Sequence, residues 1–252
     1  MLIDTHFHLD LMDNMQSLIQ EFKSSNNISV IAVGTTPKAY VRERQFCSRI
    51  SNIKVGLGLH PQLVDDRGQE IELFMELVND ATYIGEIGLD FNSMFLASKA
   101  QQLSCFRKIV IACAEKGGKT LSIHSVRSVE IVLDELEMAN TFNNCCCILH
   151  WFTGKPKDLK RAIDDGAFFS INPRMIRTKS GQEAIKKIPS DRLLLETDSP
   201  FTMRFCYVED LKKELDNLVD SIASIRGDDN VRKIIEDNNE RIMSNVRSQN
   251  LR

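Results

Sequence analysis

The sequence holds five histidines, at positions 6, 8, 60, 124 and 150. Each stands at or near the C-terminal end of a short apolar run, where randomly scattered histidines would fall mostly in helices and loops. His6 and His8 are separated by one residue, and residues i and i+2 of a strand face the same side. One strand can therefore offer two imidazoles to one ion. Two carboxylates stand in equally unusual places. Glu86 lies inside Gly85-Glu86-Ile87-Gly88, and Asp198 closes Leu193-Leu194-Leu195-Glu196-Thr197-Asp198. An ionised carboxylate in apolar surroundings is costly unless it is paired, and a metal is one such partner. Asp4, Asp90 and Glu196 lie beside these positions and can orient ligands from behind.

His6, His8, His124 and His150 with Glu86 and Asp198 exceed the three protein ligands of a single open zinc site. The surplus points to two divalent ions sharing a carboxylate. Such a pair clamps the attacking and leaving oxygens of a phosphate ester. Imidazole suits Zn, Mn or Fe, whereas carboxylate and water suit Mg or Mn. Mg, Mn or Zn is the expectation.

Something must bring these residues together. Eight β-rich runs recur, at 2–8, 28–35, 53–60, 82–90, 119–125, 145–151, 167–172 and 193–198. Several are apolar on consecutive residues, as strands buried on both faces are. Helical periodicity fills much of the space between them, at 14–25, 38–50, 99–116, 126–140 and 157–164. The tail, 207–248, reads as two further helices broken at Gly227. Strands alternating with helices predict an α/β fold, a (β/α)8 TIM barrel with extra C-terminal helices. A doubly wound open sheet is the alternative. No Pro/Gly/Ser-rich linker divides the chain, so residues 1–252 read as a single domain. In a barrel, the C-terminal strand ends surround the mouth where active sites are built.

The 252 residues are 42% hydrophobic and 27% charged. That excludes a disordered chain, a collagen-like chain and a small disulfide scaffold. No run of about 18 apolar residues exists to span a membrane. The start, Met-Leu-Ile-Asp-Thr-His, lacks the pattern of a signal peptide. The seven cysteines are odd in number and form no CxxC pair. They read as reduced thiols of a cytoplasmic protein.

Six segments together resemble the TatD family of metal-dependent deoxyribonucleases, within the amidohydrolase-like barrels. They are Ile3-Asp4-Thr5-His6-Phe7-His8-Leu9-Asp10, Gly58-Leu59-His60-Pro61, Gly85-Glu86-Ile87-Gly88-Leu89-Asp90, Ser122-Ile123-His124, His150-Trp151-Phe152-Thr153-Gly154 and Leu195-Glu196-Thr197-Asp198-Ser199-Pro200. The resemblance implies that His6, His8, Glu86 and Asp198 hold one divalent ion. Glu86, His124 and His150 would hold the second, with Glu86 bridging. It implies that Asp198 accepts a proton from the attacking water, that His60 faces the scissile phosphate, and that Glu196 supports the site. The rim departs from the family. Val126 stands two residues after the fifth-strand histidine, where Arg is usual, with Arg127 beside it. Phe201-Thr202-Met203-Arg204-Phe205-Cys206 replaces the usual segment after the eighth strand, and Phe91-Asn92-Ser93 lacks the usual aromatic pair. This divergent rim resembles TatD-like components of a bacterial anti-phage system, which implies antiviral defence and partner proteins.

The net charge is −3, yet the segments after the fifth to eighth strands carry Arg127, Lys155, Lys157, Arg174, Arg177, Lys179 and Arg204. Clusters of this kind bind phosphate backbones. Arg127, Arg174, Arg177, Lys179 and Arg204 are the expected substrate-binding residues. Phe201, Phe205 and Tyr207 are candidates to stack on bases. The expected activity is a phosphodiesterase acting on DNA as an exonuclease on single strands or ends. A second class, an amidohydrolase cleaving a small-molecule C–N or ester bond, shares much of the histidine pattern. Many of its two-metal members resemble a pattern bridged by a modified Lys; residues 82–90 contain no Lys, and Glu86 takes that place. A non-catalytic binding subunit would be favoured by a missing ligand, and none is missing.

Overall fold

The computed structural model describes residues 1–249, with side chains through 243. Eight parallel strands close into a barrel in chain order. They are β1 (Leu2–Phe7), β2 (Ile28–Val33), β3 (Ile53–Leu57), β4 (Tyr83–Asp90), β5 (Thr120–Val126), β6 (Cys146–His150), β7 (Phe168–Ile171) and β8 (Leu193–Leu195). The helices between them are α1 (Met15–Ser24), α2 (Pro37–Cys47), α3 (Val64–Arg67), α4 (Ile71–Leu77), α5 (Lys99–Lys116), α6 (Val129–Met138), α7 (Thr141–Asn144), α8 (Pro156–Asp164) and α9 (Lys179–Lys187). After β8 come α10 (Val208–Arg226) and α11 (Val231–Gln249), separated at Gly227, whose φ of 64° ends α10 in the left-handed conformation. Every predicted strand is present, and the open sheet is excluded. Among the described residues, no helix is long and apolar enough to cross a membrane.

Four short helices are not evident from the sequence pattern: α3, α4, α7 and α9. Most are too brief to show a 3.6-residue period. The fourth, α9, falls in a stretch that presents itself as a basic loop; Thr178 caps it by accepting from the Gly181 N–H at 3.1 Å. The helix expected over 126–140 begins only at Val129, because Arg127 takes a left-handed φ of 53°.

One apolar layer fills the lower barrel: Ile3, Ile31, Val33, Tyr83, Ile148, Phe168 and Leu194, joined by Ile242 of α11. This cluster is separate from the larger one in which Leu2, Ile84 and Leu149 of the same strands take part. Strict alternation from Ile3 would point Thr5 and Phe7 inward as well. Instead the register slips between Asp4 and Phe7, and Phe7 joins the outer core with Leu2. A second slip falls between Ile84 and Ile87 of β4, so Ile84, Ile87 and Leu89 all pack outward. These two irregularities reverse the phase of their strands halfway up. The lower half keeps apolar residues inside, and the upper half turns His6, His8, Glu86 and Asp90 inward. Bulges re-aim side chains in this way beside functional sites.

On the outer side of the sheet, α2 buries Glu43 at 1% exposure. Neither of its carboxylate oxygens finds a partner among the described residues. Burial holds Glu43 well above the ordinary 4.5; the Asp10 charge adds to the rise and His8 opposes it. A carboxyl raised in the folded state contributes stability that is full below the unfolded value and lost as pH rises through the folded one. Glu43→Gln is therefore expected to match wild type near pH 4.5. Above that it should gain up to about 1.4 kcal/mol per pH unit until the folded value is passed. Urea midpoints at two pH values read this directly; parallel midpoints would mean that Glu43 is ionised in the folded protein.

Candidate metal centre

All five histidines converge on one carboxylate. Glu86 Oε1 lies 2.7 Å from His124 Nδ1 and 2.9 Å from His150 Nε2. Its Oε2 lies 3.1 Å from His60 Nε2, 3.2 Å from His8 Nε2 and 3.4 Å from His6 Nε2. Asp198 Oδ1 stands 3.4 Å from His8 and 3.7 Å from His6. Strand ends and the residues just after them supply the histidines and Asp198, and Glu86 comes from within β4. Gly88 lets β4 approach β5 closely enough: its φ is 140°, and a Cβ there would lie 2.1 Å from the His124 carbonyl oxygen. Asp198 turns inward from a left-handed φ of 53°, a conformation Asp tolerates better than most residues.

Behind the centre lies a ring of orienting groups. His6 Nδ1 meets Ser122 Oγ at 2.7 Å. His124 Nε2 meets Asp90 Oδ2 at 3.0 Å. Asp90 is itself fixed by the Asn92 N–H and by Gln62 Nε2, and the Asp90 backbone by Gln102. His150 Nδ1 faces Glu196 Oε1 at 3.7 Å. Glu196 accepts from Asn172 Nδ2 at 2.9 Å, from the Trp151 N–H at 3.0 Å and from the Ser170 hydroxyl. Asp4 accepts from the His6 and Thr197 N–H groups and from the Thr197 hydroxyl. It thereby ties the top of β1 to the segment after β8. Burial pushes Asp4 up to about 7.

His60 differs from the other four. Its Nδ1 accepts the Gln62 N–H at 3.1 Å, so a neutral ring carries its proton on Nε2, facing Glu86 as a donor. Burial keeps both His60 and His6 below the ordinary histidine range. Burial also opposes charge on His8, yet Asp198 and Glu86 outweigh it and push His8 up to about 10. His124 and His150 are raised against burial in the same way, by Asp90 with Glu86 and by Glu86 with Glu196 respectively. Glu86 is held well below its ordinary value despite burial, because His60, His150 and His6 surround it.

This donor set fits divalent ions. Three groups of ligand atoms each lie within 4.8 Å: His6, Glu86 and His150; His6, His8 and Asp198; His60, Glu86 and His124. Imidazole nitrogens face each other at 3.3 Å in two pairs, His6 with His8 and His124 with His150. Such pairs need a shared proton or a cation between them.

The site opens on a cavity of about 470 Å³ lined by His8, His60, Glu86, Asp90, His124, His150 and Asp198, with Gln62, Asn92, Ser125, Val126, Trp151, Thr153 and Phe201. Glu196 does not line it. It is buried behind His150, with Oε1 3.7 Å from that ring's Nδ1. Nor does the lining include Arg127, Arg174, Arg177, Lys179 or Arg204. Val126 faces the cavity where the family Arg is usual, and Arg127 does not take over its place. Arg204 pairs with exposed Asp13, and Lys157 pairs with Glu130. Phe205 is buried in the core and cannot stack on a base. Sequence reasoning missed Gln62, Ser122, Gln102, Ser170 and Asn172. Gln102, a polar residue on an apolar helix face, carried the one available signal.

A parallel barrel with a histidine–carboxylate centre at its C-terminal mouth defines a metal-dependent hydrolase. Residues 3–244 match the TatD related DNase family, and the chain belongs to it. It is 26% identical to human deoxyribonuclease TATDN3 over 217 residues, 79% of this chain and 78% of that protein. It is 27% identical over 210 residues to an uncharacterized metal-dependent hydrolase of Buchnera aphidicola, again 79% and 78% of the two chains. The fold is shared with the TatD homolog YJJV of Escherichia coli K12, at a TM-score of 0.76 and 18% identity over 97% of both chains. It is shared as well with a TatD family hydrolase of Entamoeba histolytica, at 0.75 and 16% over 97% of both chains.

Because cation binding must displace protons from His8, His124 and His150, it should strengthen as pH rises. Manganese or zinc at about 100 times its dissociation constant stabilises the fold by about 2.7 kcal/mol. That raises the melting temperature by roughly 5–11 °C. Thermal scans of chelator-treated protein should show this shift shrinking from pH 8 to pH 6, and nearly vanishing in Glu86→Gln. A shift that survives in Glu86→Gln would place the cation elsewhere.

Proposed function

We propose that this hydrolase cleaves phosphodiester bonds of DNA, as an exonuclease on single strands or ends, at a centre of two divalent ions bridged by Glu86. The convergence of five imidazoles on Glu86 at the cavity floor carries this reading, and membership of a DNase family supports it. His6, His8, Glu86 and Asp198 would hold one ion, and Glu86, His124 and His150 the other. Bound there, the ions supply charge stabilisation at phosphoryl oxygens and acidify water to the neutral range. Asp198 turns Oδ1 to His8 and His6, which leaves Oδ2 to take the proton of the attacking water. His60, holding its proton on Nε2, would turn that donor from Glu86 to a phosphate oxygen once cations occupy the carboxylate. Asp90 and Glu196 keep His124 and His150 in the orientation that presents Nδ1 and Nε2 to Glu86.

The outlying cations act at a distance from the centre. Arg174, Arg177 and Lys179 flank the mouth through the turn after β7 and the start of α9, placed to draw a phosphate chain toward the cavity. The seven cysteines are unpaired, which supports a reducing, cytoplasmic setting. A part in antiviral defence with partner proteins rests on the likeness of the rim, and is tested by phage challenge of cells with and without Asp198→Asn.

One observation favours a second reading. The cavity is small and carries no Lys or Arg, as suits an amidohydrolase of a small molecule. End-labelled single-stranded DNA incubated with Mg, Mn or Zn separates the two. Metal-dependent laddering is expected, falling about 10²- to 10⁴-fold in Asp198→Asn. No cleavage by protein shown to hold two ions would sink the DNase reading.

The triple variant of Arg174, Arg177 and Lys179 to Ala should bind oligonucleotides more weakly. Its log-affinity against log-salt slope should flatten by about 0.7 for each phosphate that is no longer neutralised. An unchanged slope would remove the rim from the substrate path.

A further inference from the structure

Two aromatic side chains complete the cavity wall, Trp151 and Phe201. Neither position is explained by the fold. Trp151 is the chain's single tryptophan. It takes a left-handed φ of 39°, which bulky side chains avoid. The bond from its N–H to Glu196 Oε1 holds it there. The ring leans on the core with one part and remains half-buried. Phe201 is 56% exposed. Its N–H donates to the Asp198 carbonyl at 2.9 Å, and its ring stands edge-on to His8 at 5.2 Å between centroids. A large apolar ring left in water beside a polar centre is free surface for a ligand. Strain held at such a place is a mark of function.

The cavity, about 470 Å³, falls within the roughly 300–1,000 Å³ typical of single small-molecule sites. It has room for one nucleotide taken out of its stack, and no cationic side chain of Lys or Arg lines it. Phosphate recognition therefore falls to the centre around Glu86, and the large apolar surface left for the rest of the substrate is that of Trp151 and Phe201, among the uncharged Gln62, Asn92, Ser125, Val126 and Thr153.

We propose that Trp151 and Phe201 form a stacking wall for the base of one unpaired nucleotide whose phosphate faces Glu86. The inference rests on the phosphodiesterase reading and makes the enzyme selective for frayed ends and single strands. Aromatic faces stack on any base, so the wall distinguishes nucleotides from other phosphodiesters without reading sequence.

Trp151 is its own reporter. Thymidine 5′-monophosphate is expected to quench its fluorescence saturably in the cation-loaded protein, whereas deoxyribose 5-phosphate, which has no base, leaves it unchanged. Phe201→Ala keeps the fluorophore and removes only an exposed ring. It should weaken the nucleotide about 5- to 100-fold, the range for one missing stacking partner. Equal responses to nucleotide and sugar phosphate, no response to either, or unaltered nucleotide affinity in Phe201→Ala would overturn the proposal. Hydrolysis gives the second arm. Wild type should prefer an oligonucleotide with an intact terminal base over one with an abasic terminus, chiefly through KM, and Trp151→Ala should erase that preference. An equal loss on both substrates would reduce Trp151 to a structural role. If wild type cleaves neither strand, the phosphodiesterase reading falls, while the fluorescence titration still decides whether a base binds.

Discussion

A single buried carboxylate organises this molecule. Glu86 touches every histidine in the chain at 1% exposure. A lone carboxylate so placed would be strongly disfavoured, and five neutral imidazoles around it could not satisfy one another. The centre is stable only with positive charge, held as protons or as cations. Each contributing strand is therefore constrained at its upper end. The barrel must bring β1, β3, β4, β5 and β6 to within a few ångströms of one point, and the apolar layer beneath must hold them there.

The orienting groups follow from the same constraint. A histidine that offers one nitrogen to the centre needs a partner for the other, or its ring can turn. Ser122, Gln62 and Asp90 supply those partners for His6, His60 and His124, while His150 Nδ1 faces Glu196 at 3.7 Å without a hydrogen bond. Both acids in that outer ring are then held by groups of their own. Asp90 leans on Gln102 and Asn92, and Glu196 on Ser170 and Asn172. The polar network thus runs outward until it reaches backbone amides and helix side chains. Hydrogen bonds of this kind let many polar groups remain buried in one barrel.

Much of this is legible in the residues themselves. Strands buried on both faces read as apolar runs, and the histidines mark their ends. Alternation alone, however, mispoints two strands. From Ile3 it sends Phe7 inward, and from Tyr83 it sends Ile87 inward; the slips after Asp4 and Ile84 reverse both. A bulge leaves no compositional mark when the residues on either side are equally buried, so the phase emerges only in three dimensions. The basic residues of the later loops do not line the cavity, although their number suggests that they would. Charge in a loop says which end of the barrel it occupies, and nothing of how far its side chain stands from the cavity. Phe205 fails as a stacking candidate for a similar reason: in an irregular segment no period tells an inward aromatic from an outward one.

The separation of the rim from the lining has a consequence for how the site can work. Long-range attraction by exposed cations is screened within about 8–10 Å in ordinary salt. It can concentrate a polyanion at the mouth, and it cannot choose among bonds once the substrate is inside. Choice must come from groups that touch. On the proposed reading those are the imidazoles and carboxylates at the floor, facing a phosphate, and the aromatic wall, facing the flat ring of a base. Val126 in place of a family Arg moves the balance further toward the wall. A site so divided would tolerate loss of an outlying cation at the expense of encounter rate, whereas loss of a wall aromatic would alter which substrates are held long enough to react.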